Sequence, residues 1–522
     1  MEQKIKSFFS SPHNILLSCI VLLAASLRLY KISDYMTFLG DEGRDVLIVK
    51  HILEGNFTLL GPRSSAADFF YGPIYYYLIT PFLWLFKLDP VGPAVFIAII
   101  GILTVYLVYI VGKEWIGIRG GLIAAALYAI SPVVLVYSRS SWNPNPLPFV
   151  SLFALYLLYK GIEKNKKRYF LFTGILLGLG IQMQYLALFL GAIVAISLGI
   201  TIFLNKENLL FESIKKYGVI FCGFIIGWSP FLVFEILHRF PNLQTMTNFL
   251  LGKYGSPTPT TTTFFGQMHE IFLKLFGRLV TRFPDIHPNQ AVEKDYLIVW
   301  YVLTIILGIA SVICISKIKN KTAKIILFTW VIAGVAFFGF YKKSLYDYYL
   351  GFMFPLPFLL VGNLFQNFIK KRSLLTYFAL AMLVFLFVFN LLGLPFRSQP
   401  NKQKDQVKQI AQFVISKTDN KPFNFALITP GNSDHGYRYY MEVLGHKPVE
   451  IQNQFTDPDR KSVTDQLLVV CEDTTCGPLG HSLFEVAAFG RGEIVGEWDT
   501  SVVKVFRLIH YVDPNVAKKN TD

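Results

Sequence analysis

Long apolar runs recur from residue 14 to about Gly393, and they constrain the fold more than any other feature of the chain. Each run is close to the roughly 20 residues that a helix needs to cross a bilayer. Of 522 residues, 53% are hydrophobic and only 16% are charged, a balance that excludes a water-soluble protein of this length. The chain is therefore predicted to be a polytopic membrane protein.

The same runs predict an all-α membrane domain over residues 1–393 with about eleven transmembrane helices. The first run lacks the small-residue cleavage pattern of a signal peptide, so we interpret it as a retained span. The predicted spans are residues 14–30, 91–112, 121–136, 147–160, 169–182, 184–204, 217–237, 295–316, 322–341, 346–366 and 374–393.

The net charge of +15 is a topology signal rather than a sign of nucleic-acid binding. Residues 394–522 are nearly neutral, with 15 basic and 16 acidic side chains, so the excess lies in the membrane part. Short basic loops mark the cytoplasmic side of a membrane. With the N-terminus inside, the five basic loops are cytoplasmic and the region beyond residue 394 is extracytoplasmic. Four of these loops contain most of the basic residues: Lys164, Lys166, Lys167 and Arg168; Lys215 and Lys216; Lys317, Lys319, Lys321 and Lys324; and Lys370, Lys371 and Arg372.

One apolar segment, Pro73 to Phe86, is excluded from the spans because counting it would reverse every later loop. It is short and rich in tyrosine and tryptophan, which suits a helix at the membrane interface. Together with the amphipathic segment Val46 to Leu53, it gives a first extracytoplasmic loop, residues 31–90, that contains juxtamembrane helices. A second large extracytoplasmic loop is predicted at residues 238–294.

An acidic pair, Asp41 and Glu42, stands in the sequence GDEGRD about ten residues after the first span. A carboxylate close to a membrane is costly unless it is solvated, paired or used in chemistry. Asp41 is therefore a candidate general base, and it is equally a candidate helix N-cap or a solvated loop acid. Glu42 is interpreted as a group that positions or pairs with its neighbour.

The succession of a span, an acidic pair, an amphipathic helix, an aromatic segment, and then spans alternating with basic loops resembles the GT-C glycosyltransferases. The resemblance covers residues 14–370 and is greatest to the branch of protein O-mannosyltransferases and lipid A aminoarabinose transferases. These membrane enzymes move a sugar from a polyprenyl-phosphate carrier to an acceptor outside the cytoplasm. The resemblance implies a GT-C fold, with Asp41 at the place of the family's catalytic aspartate and Glu42 at that of its acidic neighbour.

Other family positions are matched with departures. Where the family often has Glu-Lys-Pro, this chain has Phe70-Tyr71-Gly72-Pro73, and Asn143 replaces a family carboxylate. Gln184 lies where the family often has a lysine. The stretch YKKSLYDYY, which contains Lys342, Lys343, Tyr346 and Tyr348, resembles the family's basic-then-tyrosine segment. The resemblance thus implies that Tyr71, Asn143, Gln184, Lys342, Lys343, Tyr346 and Tyr348 bind substrate.

The implied reaction requires a base for the acceptor hydroxyl and positive charge for the departing phosphate. With Asp41 as the base, transfer proceeds with inversion in a single displacement. Cationic candidates for the phosphate are Arg44, Arg63, Arg139, Lys342 and Lys343; the alternative for the last three is snorkelling to the interface. Asn143 is also an ordinary turn former.

The expected partners are a polyprenyl-phosphate sugar donor, membrane lipid, and an acceptor that is a glycan, a lipid or a protein, with no nucleic acid. The enzyme is expected in the plasma membrane with a cytoplasmic N-terminus. The alternative function is a transporter or flippase of lipid-linked sugars, whose class often shows inverted repeats and broken helices. A polymerase or ligase of lipid-linked glycans is a further reading within the same enzyme class.

Residues 394–522 predict a soluble extracytoplasmic α/β domain, because helical and strand patterns alternate there and Glu493–Trp498 and Val502–Ile509 resemble a closing hairpin. Cys471 and Cys476 could form a small disulfide loop in an oxidising compartment. The resemblance leaves a divalent metal open as a cofactor. Neither the cysteine spacing nor the nine histidines indicate a metal site, and no cofactor is assigned.

Overall fold

The computed structural model describes residues 11–64, 68–205, 209–251, 263–282, 294–341, 345–369, 373–473 and 475–512. The chain forms two compact units. The first, here the membrane unit, comprises residues 1–32, 57–82 and 93–399. The second, here the α/β unit, comprises residues 33–56, 83–92 and 400–522.

The membrane unit is built of helices whose apolar residues are shared between a buried core and an exposed surface. Its α-helices are Pro12–Leu29, Ile74–Leu85, Val91–Trp115, Ile118–Ile130, Pro132–Tyr137, Leu147–Lys164, Lys167–Met183, Leu188–Leu204, Leu209–Leu237, Pro241–Leu250, Phe264–Phe272, Lys294–Ile313, Lys321–Gly339, Pro355–Phe368 and Leu374–Leu391. Shorter helical segments are the 3₁₀ turns Tyr185–Ala187, Cys314–Lys317, Asp347–Met353 and Pro395–Arg397, and the π-helix Leu273–Thr281.

Within the described residues, seven helices are long and apolar enough to cross a membrane, or eight if one bent pair counts as a span. That pair, Asp347–Met353 and Pro355–Phe368, is bent by 58°. The other predicted spans coincide with helices that are shorter or less apolar, among them the 13-residue helix Ile118–Ile130. The multi-pass membrane architecture is thus confirmed, and the count of eleven stays a prediction.

The segment Pro73–Phe86 contains a 12-residue helix, Ile74–Leu85. At 1.5 Å per residue it is about 18 Å long, well short of the ~30 Å hydrocarbon core of a bilayer. Its length therefore suits the interfacial placement predicted for it. Part of the predicted loop 238–294 is also helical, in Pro241–Leu250, Phe264–Phe272 and the π-helix Leu273–Thr281.

Small residues bring two membrane helices close together. Gly174 and Gly178 of helix Lys167–Met183 lie against the backbone of helix Leu209–Leu237, and Gly223 and Gly227 of that helix lie against the backbone of the first. A Cβ atom at Gly174 would lie 2.0 Å from the carbonyl oxygen of Ile220. Each pair of glycines is spaced by four residues, the pattern that lets helix backbones approach in membranes.

The α/β unit contains a sheet of four strands, β1 (Asn424–Ile428), β2 (Gln466–Cys471), β3 (Gly492–Thr500) and β4 (Val503–His510), which lie in the order β1-β2-β4-β3. Its helices are Ile32–Tyr35, Gly40–Leu53, Gln403–Ser416, His435–Val443 and Phe484–Phe489. β1 and β2 are parallel and fully buried, whereas β3 and β4 form an antiparallel hairpin. The predicted hairpin is present, and Cys471 and Cys476 are joined by a disulfide.

The α/β unit includes residues 33–56 and 83–92, which the sequence places with the membrane domain. Helix Gly40–Leu53, here the acidic helix, packs on helix His435–Val443 through glycines. Glu442 reinforces the contact by accepting hydrogen bonds from Lys50 (3.3 Å) and pairing with His51 (3.0 Å). The boundary predicted at residue 393 separates two regions of the sequence, whereas in the folded chain residues 33–56 and 83–92 pack with the region that follows this boundary.

Candidate functional site

Asp41 lies in the first turn of the acidic helix, which begins at Gly40 with Leu39 as its N-cap. Its side chain is half exposed, and Oδ1 accepts a 2.7 Å hydrogen bond from Nη1 of Arg44. The other carboxylate oxygen makes no hydrogen bond to any described residue. Asp41 is thus not the N-cap, and one of its oxygens is available to accept a proton.

Glu42 is buried and takes over the capping of this helix. Its Oε2 accepts a hydrogen bond from the Leu39 N–H at 3.1 Å, the return bond of a capping arrangement. Burial raises the pKa of Glu42 from 4.5 to about 7, and the nearby carboxylates of Asp41 and Asp45 act in the same direction. Glu42 is therefore a structural acid that changes its charge near neutral pH.

Arg44 joins two acidic side chains of the same helix. Besides its bond to Asp41, it donates from Nε and Nη2 to Oδ1 of Asp45 at 3.0 and 2.7 Å. Asp45 is fully buried. This double contact fixes the guanidinium and, through it, the orientation of the Asp41 carboxylate. The sequence indicated a role for Arg44 but none for Asp45, although Asp45 follows it directly in GDEGRD.

The loop before helix His435–Val443 holds the N-terminal end of the acidic helix. Oδ1 of Asn432 accepts a 2.8 Å hydrogen bond from the Gly40 N–H. A Cβ atom at Gly40 would lie 2.2 Å from the Ser433 hydroxyl oxygen, and one at Gly43 would lie 2.3 Å from the Gly436 nitrogen. Only glycine fits this approach, so the glycines of GDEGRD are explained by packing.

His435 adds a second titratable group beside the acidic helix. Its Nδ1 lies 2.7 Å from the Ser433 hydroxyl. Burial lowers the pKa of His435, and Arg44 and Arg438 lower it further against the opposing carboxylates of Asp434 and Asp41. His435 is therefore held as a neutral imidazole near pH 7. No sequence pattern indicated it.

In the membrane unit, tyrosines from distant parts of the chain form one cluster. The ring of Tyr71 lies nearly parallel to that of Tyr185, with centroids 6.3 Å apart, and its hydroxyl donates to Oε1 of Gln184 at 3.1 Å. The hydroxyls of Tyr185 and Tyr341 are 2.9 Å apart. The ring of Tyr341 contacts that of Tyr349 at 5.8 Å.

The same cluster extends through the segment after Tyr341. Tyr349 contacts Tyr346 and Tyr348, with centroids 5.7 and 4.5 Å apart, and Tyr348 lies 4.4 Å from Trp142. Asn143 is buried and donates a 2.6 Å hydrogen bond to the carbonyl of Met183, the residue before Gln184. The sequence-selected residues of this tyrosine cluster are Tyr71, Asn143, Gln184, Tyr346 and Tyr348.

Basic side chains reach this region from the π-helix Leu273–Thr281. Lys274 and Arg278 both contact Asp347, at 3.3 and 2.8 Å. Asp347 lies between Tyr346 and Tyr348. None of the three charged residues of these two ion pairs was among the residues predicted to bind substrate. A π-helix often marks a functional site, because it reorients side chains that an α-helix would place elsewhere.

The other basic candidates have different surroundings. Arg63 is exposed and pairs with Asp68 at 2.8 Å. Arg139 is buried, donates to the carbonyls of Leu27 and Tyr30, and lies over the ring of Phe396. These are the contacts of a side chain that holds the end of the first span. Lys342 and Lys343 lie outside the described residues.

The described residues contain no group of three histidine, cysteine, aspartate or glutamate side chains placed to hold a metal ion. Glu235, which the sequence placed near the end of a span, is buried and accepts hydrogen bonds from Nδ2 of Asn242 (2.8 Å) and the N–H of Leu243 (2.9 Å). Its carboxyl group therefore caps helix Pro241–Leu250, which accounts for this buried acidic residue without a catalytic role.

Residues 71–234 match the family model of dolichyl-phosphate-mannose-protein mannosyltransferases. The match includes Tyr71, Arg139, Asn143 and Gln184 but not Asp41. No curated protein sequence is significantly similar to the chain.

Solved structures resemble most of the chain. ArnT from Cupriavidus metallidurans, bound to undecaprenyl phosphate, superposes with a TM-score of 0.61 at 14% identity over 95% of this chain and 97% of that one. The archaeal oligosaccharyltransferase AglB from Archaeoglobus fulgidus, in complex with an inhibitory peptide and a dolichol-phosphate, gives a TM-score of 0.51 at 14% identity over 88% of this chain and 70% of that one. The chain therefore has the fold of the GT-C membrane glycosyltransferases, and the resemblance drawn from the sequence is confirmed.

Proposed function

We propose that this protein is an inverting glycosyltransferase of the plasma membrane that moves a sugar from a polyprenyl-phosphate donor to an acceptor hydroxyl on the extracytoplasmic side. The family match and the GT-C fold support the reaction class. The observation that carries the proposal is the Asp41 carboxylate, which is half exposed at the start of a helix and has one oxygen held by Arg44 and the other open.

In this reaction Asp41 accepts the proton of the acceptor hydroxyl as the oxygen attacks the anomeric carbon. The bond from that carbon to the phosphate oxygen breaks, and the polyprenyl phosphate leaves with the bonding electrons. A single displacement inverts the anomeric configuration. Because a phosphate leaves readily as an anion, the reaction needs a base more than it needs an acid.

The neighbours of Asp41 prepare it for this role. Arg44 holds one carboxylate oxygen and is itself fixed by the buried Asp45, so the orientation of Asp41 is set before the acceptor arrives. Glu42 holds the helix terminus through the Leu39 N–H. We therefore assign Asp41 to proton transfer, and Glu42 and Arg44 to its positioning.

For the donor, we propose binding by the tyrosine cluster of the membrane unit and by the basic side chains beside it. The undecaprenyl phosphate in ArnT and the dolichol-phosphate in AglB support a polyprenyl phosphate as carrier. Tyrosine rings and hydroxyls suit a sugar, and Lys274 and Arg278 suit its phosphate. Phosphate contacts by Arg63, Arg139, Lys342 and Lys343 remain predictions.

The test is transfer from a radiolabelled panel of polyprenyl-phosphate sugars by purified protein in lipid, with a membrane extract as the acceptor. Asp41→Asn should lower transfer by about 10²- to 10⁴-fold, the usual effect of losing a general base, while donor binding stays unchanged. The matched control is Asp459→Asn, an exposed aspartate of the α/β unit whose partner Lys461 is also exposed. Near-normal transfer by Asp41→Asn would exclude Asp41 as the base.

A lipid-linked sugar transporter is favoured by one observation, the 58° bend between Asp347–Met353 and Pro355–Phe368, since transporters often bind substrate at broken helices. The same donors in sealed vesicles distinguish the two functions. If both wild type and Asp41→Asn move the donor across the bilayer and no acceptor becomes labelled, the protein is a transporter and not a glycosyltransferase.

A further inference from the structure

The α/β unit contains a groove that none of the roles above uses. It has a volume of about 470 Å³ and lies beyond the carboxyl ends of β1 and β2. These are the two parallel strands of the sheet, connected through helix His435–Val443. In α/β sheets, ligands bind in the crevice outside the carboxyl ends of parallel strands, and pockets of a few hundred Å³ hold small ligands.

The groove wall is polar but carries no positive charge. Of the fourteen described residues that line it, none is basic and one is acidic, whereas six have amide, hydroxyl or carboxylate groups: Gln403, Gln406, Thr429, Asn432, Tyr437 and Glu472. Exposed apolar side chains, Leu39 and Val502, lie among them. A phosphate would meet a carboxylate and no cation there, and a lipid chain would leave the polar groups without partners.

Glu472 organises one side of the groove. Its Oε1 accepts hydrogen bonds from Asn432 (2.7 Å) and Tyr437 (3.0 Å), and its Oε2 accepts one from Thr429 (2.6 Å). All three donors are neutral, so the groove keeps a single negative charge that is spread over a fixed hydrogen-bond network. Such a network positions hydroxyl and amide groups for a ligand before the ligand arrives.

The opposite side retains unused hydrogen-bonding capacity. The side-chain amide of Gln406 makes no hydrogen bond to any residue that the structure describes. The amide oxygen of Gln403 accepts from the Phe38 N–H at 3.1 Å, which leaves its nitrogen able to donate. The groove thus offers amide donors and acceptors, one hydrogen-bonded carboxylate and apolar C–H surface. This lining is complementary to a neutral molecule rich in hydroxyl groups, such as a sugar.

The groove is connected to the acidic helix through two residues. Leu39, its N-cap, lines the groove. Asn432, which also lines it, accepts the 2.8 Å hydrogen bond from the Gly40 N–H, and Asp41 follows directly in the chain. A molecule in the groove therefore contacts Leu39, which precedes the proposed base Asp41 by two residues in the chain.

We propose that this groove binds a neutral glycan portion of the acceptor, so that the acceptor is recognised as a carbohydrate next to Asp41. The proposal rests on the proposed function, because it takes the groove's ligand to be the acceptor of that reaction. It narrows the acceptor from a glycan, a lipid or a protein to a molecule that carries uncharged sugars.

The test measures sugar binding without donor, so that its result is independent of transfer. Full-length protein in lipid nanodiscs is titrated with a panel of neutral linear oligosaccharides, with uronic-acid oligosaccharides as charged comparators. Gln406→Trp places a bulky ring in the groove; its matched control is Lys408→Trp on the exposed face of the same helix. Equal melting temperatures of the two variants establish that both are folded.

We expect neutral oligosaccharides to bind wild type and Lys408→Trp with equal affinity, and to bind Gln406→Trp at least tenfold more weakly. We also expect wild type to bind them more tightly than the uronic-acid oligosaccharides. Where transfer is active, Gln406→Trp should raise the acceptor KM and leave kcat and donor binding unchanged. Absence of neutral-sugar binding at millimolar concentration, or binding that Gln406→Trp does not weaken, would overturn the proposal. If Gln406→Trp loses sugar binding while Asp41→Asn still transfers the sugar, then Asp41 is not the general base, but the groove remains assigned as a sugar-binding site.

Discussion

Replacing Glu42 by glutamine tests the electrostatics of the acidic helix directly. Burial raises the pKa of Glu42 from 4.5 to about 7, so its ionised form is disfavoured only in the folded protein. The free energy of unfolding should therefore fall as the pH rises above 4.5 and level off above about 7. With ~1.4 kcal/mol for each pH unit between the two pKa values, the full loss is about 3 kcal/mol.

Glutamine keeps the shape and the oxygen that accepts the Leu39 N–H, and it removes the titration. Glu42→Gln should thus be more stable than wild type by about 3 kcal/mol at pH 8, and by no more than about 1 kcal/mol at pH 5. The measurement is unfolding of the α/β unit between pH 5 and 8, followed by hydrogen exchange of the acidic helix and of helix His435–Val443 in protein held in nanodiscs.

The matched control is Glu493→Gln, an exposed glutamate on β3. It should leave the pH profile of wild type unchanged. If the free energy of unfolding of Glu42→Gln varies with pH in parallel with that of wild type from pH 5 to 8, then ionising Glu42 does not destabilise the folded protein. The reasoning about its burial is then refuted.

Two further predictions concern packing and covalent structure in the α/β unit. Gly43→Ala places a Cβ atom 2.3 Å from the backbone nitrogen of Gly436. It should therefore destabilise the acidic helix by about 1–3 kcal/mol, measured by hydrogen exchange, whereas Gly477→Ala, whose Cβ would have no atom within 4 Å, should not. Equal exchange in both variants would contradict the close approach. Removing the disulfide by Cys471→Ser with Cys476→Ser should cost about 2 kcal/mol, the value for so short a loop, and should abolish the effect of a reductant on the melting temperature. A reductant effect that persists in the double variant would show that it has another origin.

The membrane architecture could be predicted because it depends on local composition. A helix in a bilayer satisfies its own backbone hydrogen bonds and meets lipid with its side chains, so a run of apolar residues specifies it without reference to distant parts of the chain. The hairpin Gly492–Thr500 and Val503–His510 was predictable for a similar reason, since its pairing is between neighbours in sequence.

The candidate site was only partly predictable. Tyr71, Gln184, Tyr346 and Tyr348 were selected by resemblance to a family, and the structure brings them into one cluster. Lys274 and Arg278 were missed because a contact across about 70 residues leaves no local pattern. A π-helix also displaces their side chains from the faces that an α-helical repeat predicts.

The acidic helix shows the same division. The segment Val46 to Leu53 was predicted to be amphipathic, yet its charged residue Lys50 is buried against Glu442, nearly 400 residues later in the chain. The two glycines of GDEGRD are compatible with many loops, and only the approach of Ser433 to Gly40 and of Gly436 to Gly43 explains them.

By itself, the sequence determined that this chain is a multi-pass helical membrane protein with a separate α/β region and an acidic pair beside its first span. These properties follow from hydrophobicity and charge, which each segment carries regardless of its partners. The tertiary structure alone decided that the acidic helix belongs to the α/β unit, that Glu42 is buried while Asp41 is half exposed, and that a polar groove lies beside them. Burial, the pKa of a carboxyl group and the shape of a groove depend on which distant residues pack together, and only the folded chain brings those residues into contact.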